Sequence, residues 1–113
     1  MSYRVIFAPE AVEQLAALYN HIADAASSDV ANQYVNGIIT YCESLHMFPI
    51  RGVLREDMRP GLRITNYRKR TVVAFEVDEQ AAQVAILGLF YGGQDYEAIL
   101  HDAPEAEESS ENG

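Results

Sequence analysis

Along the first half of the chain apolar residues recur at intervals of three and four, and along the second half at intervals of two. That switch divides the sequence into a helical part and a sheet part. Tyr3 to Phe7 is a short run of β-branched and aromatic residues that reads as a strand. Pro9 stands where a first helical turn tolerates it, and Glu10 and Glu13 suit the positive end of a helix. Val12, Leu15, Leu18 (or Tyr19) and Ile22 form an apolar stripe, which predicts a helix ending near Ala26. Ser27, Ser28 and Asp29 then interrupt the pattern and supply a cap for a second helix. That helix is expected from about Val30 to Met47, with the stripe Val30, Tyr34, Ile38, Tyr41 (beside Cys42) and Leu45. Gly37 inside it costs ~1 kcal/mol relative to alanine, which points to a close contact there. Two amphipathic helices joined so tightly form an antiparallel hairpin.

Pro49 ends the helical region, and from there to Gly61 the chain shows no clean period. Three strands follow: Leu62 to Tyr67, Thr71 to Val77 and Gln83 to Tyr91, with turns at Arg68-Lys69 and Asp78 to Ala82. Connections this short forbid crossovers, so the three form an antiparallel meander. The last is the most apolar and is expected in the centre of the sheet. Gly92-Gly93 breaks it, and residues 94–100 read as a final helical turn or two. The order strand, helix, helix, three strands predicts an α+β fold, a helical hairpin packed on an antiparallel sheet. Leu62 and Ile64 are expected beneath the helices, and Arg63, Thr65 and Tyr67 on an open face.

Composition changes this picture in two places. With 113 residues the chain makes one domain, placed at 1–101, followed by an acidic tail at 102–113 that lacks apolar periodicity. The formal charge is -9, yet the segment from Arg51 to Arg70 holds seven of the eight Lys and Arg: Arg51, Arg55, Arg59, Arg63, Arg68, Lys69 and Arg70. Only Glu56 and Asp57 offset them there. Charges so segregated suggest a macromolecular partner, with pairing to the protein's own acids as the plain alternative. The overall charge argues against nonspecific duplex binding by the whole chain. The single cysteine, Cys42, fits a reducing compartment, and neither a signal peptide nor a membrane span is evident, so a cytoplasmic protein is expected.

Candidate chemistry is sparse. His21, His46 and His101 lie far apart, and no pair has metal-ligand spacing, so neither a metal nor a cofactor is expected. There is no phosphate-cradling glycine loop and no serine nucleophile elbow. RNA cleavage is the remaining catalytic option, with Arg63 steadying phosphate and Tyr67 or Tyr91 assisting proton transfer. An unperturbed tyrosine is a weak base at neutral pH.

The segments FAPEAVEQLAALYNHIA, CESLHMFPIRGVLREDMRPGLR and ILGLFYGGQDYEAIL, in that order and spacing, resemble ParE-type toxins of the RelE/ParE superfamily. The resemblance runs from about residue 3 to residue 100. It implies the toxin half of a bacterial type II toxin–antitoxin pair, with plasmid stabilisation among its roles. The implied target of ParE-type members is DNA gyrase, and the implied partner is a ParD-like antitoxin in a hetero-oligomer. RelE-type members instead cleave mRNA, and Arg63 matches the strand position of their phosphate-binding Arg. Where many relatives read His-Gly-Arg-Gln-Asp after the last strand, this chain reads Tyr91-Gly92-Gly93-Gln94-Asp95. That departure argues against ribonuclease activity and raises a third option, an antitoxin-binding relative without toxicity. The cationic set from Arg51 to Arg70 is then expected to meet acidic side chains of the antitoxin.

Overall fold

Two helices lie across one face of a five-stranded sheet, in a computed structural model that describes residues 2–93 and Tyr96. In chain order the elements are β1 (Arg4–Phe7), α1 (Pro9–Ala25), α2 (Ser28–Glu43), a 3-10 turn at Ser44–His46, β2 (Val53–Leu54), β3 (Leu62–Tyr67), β4 (Thr71–Asp78) and β5 (Gln83–Tyr91). The expected α+β architecture is present, and the meander β3–β4–β5 is antiparallel. Its sheet is mixed, because β1 pairs parallel with β5 after the chain has crossed through both helices. The strand order β1-β5-β4-β3-β2 puts β5 and β4 inside and leaves β1 and β2 as edges. The reading of residues 94–100 as helical lies outside the described residues except at Tyr96.

Local chemistry explains the helix ends. Pro9 occupies the first turn of α1 and Glu10 sits beside it, with no side-chain cap. Ser27 caps α2, its Oγ accepting from the Val30 amide at 3.1 Å. The buried stripes follow the expected ones except at their first positions. Ala11, Leu15, Leu18 and Ile22 are buried on α1, and Ala31, Ile38 and Cys42 on α2, while Val12 and Val30 face solvent. One position turns a helix by 100°, and at both N-terminal ends the small alanine takes the inner place.

The core between helices and sheet gathers these side chains with Leu45, Val73, Phe75, Val84, Ile86 and Leu89. Each fully buried large apolar side chain contributes roughly 1.5–3 kcal/mol. A second, smaller cluster of Leu62, Ile64, Ala74 and Phe90 lies on the opposite sheet face, covered by Met58 and Tyr96. The expected assignment of β3's faces is therefore reversed. Leu62 and Ile64 turn away from the helices, whereas Thr65 and Tyr67 turn toward α2, where Tyr41 Oη meets Thr65 Oγ1 at 2.9 Å. Because both faces are covered, β4 and β5 carry apolar residues on both sides, and an irregularity between Ala74 and Phe75 keeps Phe75 on the helix side.

Candidate functional site

The seven cations of the central segment do not share one environment. Arg55 makes a two-pronged pair with Asp57, Nε to Oδ1 and Nη2 to Oδ2 both at 2.9 Å, and Nη1 donates to Tyr96 Oη at 3.1 Å. The Arg55 hydrogen bonds hold the exposed Asp57 carboxyl below its ordinary pKa. Arg59 Nε lies 2.8 Å from Glu76 Oε2, with both side chains about one-third exposed (31% and 30%). These two arginines thus pair with their own chain, on the side of the second cluster. Arg63 Nε donates to the Arg51 carbonyl at 2.9 Å, and the Arg51 guanidinium sits 5.6 Å from the centre of the Tyr41 ring. Arg68, Lys69 and Arg70 form the exposed β3–β4 turn and meet no carboxylate among the described residues.

The end of the helical region and the start of the segment that showed no period carry the main apolar anomaly of the described surface. Met47, Phe48, Ile50, Val53 and Leu54 are all exposed, Phe48 by 62% and Val53 by 63%, and they fall within residues 47–54 around Arg51. They run into β2, a two-residue strand at the edge of the sheet that, among the described residues, pairs only with β3, through Val53↔Ile64 and Leu54↔Arg63. Gly52 makes this approach possible. Its φ is +70°, and a Cβ there would stand 2.1 Å from the Ile64 carbonyl oxygen. Part of the signal was present in the sequence, since Ile50, Val53 and Leu54 stand in the aperiodic segment with no helix face or strand face to occupy.

A row of aromatic rings crosses the mouth between the helices and β3–β5. Tyr67 lies between Tyr34 and Tyr41, with ring centres 5.4 and 5.7 Å away, Tyr34 continues to Tyr91 at 5.8 Å, and Tyr91 meets His21 edge-on at 5.8 Å. Tyr34 Oη bonds the fully buried Thr71 Oγ1 at 2.8 Å. Gly37 is the residue that admits Tyr67: a Cβ on it would be 2.1 Å from Tyr67 Oη. At the far end of the row an open cleft of about 560 Å³ is lined by Gln14, Ala17, Leu18, His21, Arg70, Leu89, Tyr91 and Gly92. Gln14 Oε1 is already engaged by the Leu89 amide at 2.7 Å.

This layout does not bring Arg63, Tyr67 and Tyr91 together. Arg63 is opposite Phe75 and Tyr91 opposite Thr71, four residues away along β4 and two strands across. That separates their backbones by roughly 16 Å. Tyr67 is half-buried beneath α2 between Tyr34 and Tyr41, and the cation beside it is Arg68, whose guanidinium lies 5.5 Å from its ring centre, rather than Arg63. His21, set aside on sequence grounds, is the imidazole that does reach Tyr91, and it lines the same cleft as Arg70. His46 Nδ1 lies 3.2 Å from Ser2 Oγ, and its carbonyl accepts from the Tyr3 amide, so it braces β1. Among the described residues no group of three His, Cys, Asp or Glu is placed to hold a metal ion. Burial, reinforced by the Glu43 charge, pushes the Cys42 thiol up to about 12, which keeps it protonated and unreactive.

Comparison with known proteins gives a consistent picture. A family profile described as "ParE toxin of type II toxin-antitoxin system, parDE" matches residues 5–96. Among solved structures the chain is similar to a chromosomal ParDE toxin–antitoxin system from P. aeruginosa, with a TM-score of 0.69 at 20% identity over 80% of this chain and 97% of that one. It is also similar to the RelBE2 toxin–antitoxin complex from Mycobacterium tuberculosis, with a TM-score of 0.58 at 17% identity over 80% and 99% of the two chains. The isolated E. coli RelE toxin gives 0.54 at 15% identity over 87% and 96%. Among curated proteins no significant match was found. At these identities the solved structures speak to the fold. No helix among the described residues is long and apolar enough to cross a membrane.

Proposed function

The chain belongs to the ParE toxin family of type II toxin–antitoxin systems, and from that premise we propose that it arrests growth by binding DNA gyrase and is held inactive by a cognate ParD-like antitoxin. The observation that carries the partner half of this reading is the exposed apolar run at residues 47–54 along the edge strand β2. An extended antitoxin segment laid on that edge gains main-chain hydrogen bonds and covers Phe48, Ile50 and Val53. Arg51 and Arg63 border the run and suit carboxylates on such a segment, where losing one member of a buried pair costs ~2–5 kcal/mol of binding. Arg68, Lys69 and Arg70 are available for a partner as well. Arg55 and Arg59 already hold Asp57 and Glu76 and contribute less.

For the target, the scattering of Arg63, Tyr67 and Tyr91 favours an inhibitor that acts by binding over an mRNA endoribonuclease of the RelE type. The gyrase reading places the protein in the cytoplasm and needs no cofactor. Purified protein added to gyrase supercoiling and cleavage assays is expected to inhibit the enzyme and trap DNA breaks, and the antitoxin is expected to reverse both. Absence of both effects rejects gyrase as the target. In induced cells, cut transcripts seen by primer extension would favour the ribonuclease, and undisturbed growth would favour a non-toxic relative.

A further inference from the structure

The cleft at the β3–β4 turn is a second cationic site, distinct from the apolar edge at residues 47–54. Its lining contains Arg70 and His21 and no Asp or Glu, in a chain whose formal charge is -9. Leu18, Leu89 and Ala17 give it an apolar floor, and Tyr91 forms a wall. Arg68, whose guanidinium lies 5.5 Å from the Tyr67 ring centre, and Lys69 precede Arg70 in the turn and, like it, have no carboxylate partner among the described residues. The turn carries these two side chains at a backbone cost. Arg68 and Lys69 have φ of 54° and 65°, left-handed values that favour Asn or Gly and strain bulky residues, in a three-residue connection closed by the Arg70 amide donating to the Tyr67 carbonyl at 3.2 Å.

The chain itself supplies a ligand of matching charge. The Gly92 amide donates to the Arg70 carbonyl at 3.0 Å, so the end of β5 is fastened to the cationic turn. Residues 102–113 hold Asp102, Glu105, Glu107, Glu108 and Glu111 with no Lys or Arg, and Ala103, Pro104 and Ala106 stand among them. Tyr96 packs on Phe90 and accepts from Arg55 on the opposite sheet face, and five residues, 97–101, separate it from Asp102, a root-mean-square reach of roughly 12 Å for a flexible chain. A short tether that spans the gap to its site gives an effective concentration in the millimolar range.

We propose that the Arg68-Lys69-Arg70 turn and its cleft form a carboxylate-binding site that the protein's own segment 102–113 occupies in cis. A glutamate carboxylate takes the Arg70 guanidinium two-pronged while its methylenes lie on Leu18 and Leu89. Any acidic partner for this turn then has to displace the segment, which makes the C-terminus a built-in competitor. The pairing is solvent-exposed, so it weakens with salt.

The test uses the full chain with a nitroxide label on Ser110→Cys. Cys42 is fully buried and leaves the introduced thiol as the reactive one. At low salt the label is expected to broaden the amide resonances of Ala17, His21, Tyr67 to Thr71 and Gly92. The broadening is expected to vanish in a Lys69→Asn, Arg70→Gln variant and at about 0.5 M NaCl, where screening acts within roughly 4 Å. If that variant disturbs the fold, the Glu105→Gln, Glu107→Gln, Glu108→Gln, Glu111→Gln variant makes the same comparison from the other side. No broadening at low salt, broadening unchanged by either variant, or broadening centred on residues 47–54 would each overturn the proposal. None of these outcomes depends on gyrase or antitoxin binding.

Discussion

Replacing Gly37 by alanine separates two effects that act in opposite directions. Helix propensity alone favours alanine at this interior position of α2 by ~1 kcal/mol. The new Cβ, however, would lie 2.1 Å from Tyr67 Oη and 3.1 Å from Cζ. An ordinary contact requires a shift of more than 1 Å, and the Tyr67 ring is boxed in by Tyr34 at 5.4 Å and Tyr41 at 5.7 Å. Overpacking of this kind costs ~1–3 kcal/mol. The collision offsets or outweighs propensity, and the net expectation is a loss of up to ~2 kcal/mol. For a fold of this size each kcal/mol lowers Tm by about 4–8 °C. Denaturant titration and thermal unfolding of Gly37→Ala, Tyr67→Phe and the double variant measure the coupling. Tyr67→Phe alone is expected to be nearly neutral, and added to Gly37→Ala it should recover much of the loss, because only the 3.1 Å approach to Cζ remains. A Gly37→Ala protein more stable than wild type, or a double variant showing no recovery, would refute the reasoning.

Other perturbations follow from the same geometry. Gly52→Ala combines a φ of +70° with a Cβ 2.1 Å from a backbone oxygen that cannot step aside, so a loss of ~2 kcal/mol or more is expected in denaturant unfolding. Tyr34→Phe strands the hydroxyl of the fully buried Thr71, and equilibrium unfolding is expected to show a cost of ~1–3 kcal/mol, smaller when Thr71→Val is added. The Cys42 thiol, ordinarily near 9.0, is pushed to about 12 in the fold, so above pH 9 the unfolded chain releases a proton that the native state keeps. Stability then falls as pH rises through that window, by at most ~1.4 kcal/mol per pH unit, and comparing unfolding curves with those of Cys42→Ala isolates the contribution.

Much of the fold was legible because strands and helices here keep their own periods. The bounds of β3 and β5 match the alternation read from the sequence, and Ser27 caps α2 as its side chain allows. Which face of β3 meets the helices was not legible from β3 alone. Leu62 and Ile64 are the more apolar pair, yet they serve the second cluster, while the hydroxyls of Thr65 and Thr71 face α2 because Tyr41 and Tyr34 supply partners there. A hint lay in β4, whose TVVAFEV run is apolar on both sides and so requires cover on both. At the candidate site, charge counting found the cationic segment but not the division within it. Asp57 is a sequence neighbour of Arg55, whereas Glu76 reaches Arg59 only through the pairing of Leu62 with Glu76 in the sheet. The exposed run at 47–54 and the approach of His21 to Tyr91 likewise depend on packing across distant parts of the chain.

The central claim is that a partner is gripped along the β2 edge by its apolar side chains. Titration calorimetry of the cognate antitoxin against wild type and the Phe48→Ser, Val53→Ser variant tests it most directly, since both positions are exposed and the fold does not rest on them. Affinity is expected to fall by ~2–4 kcal/mol, roughly thirty- to a thousandfold, with Tm unchanged. An antitoxin that binds the variant as tightly as wild type would contradict the account.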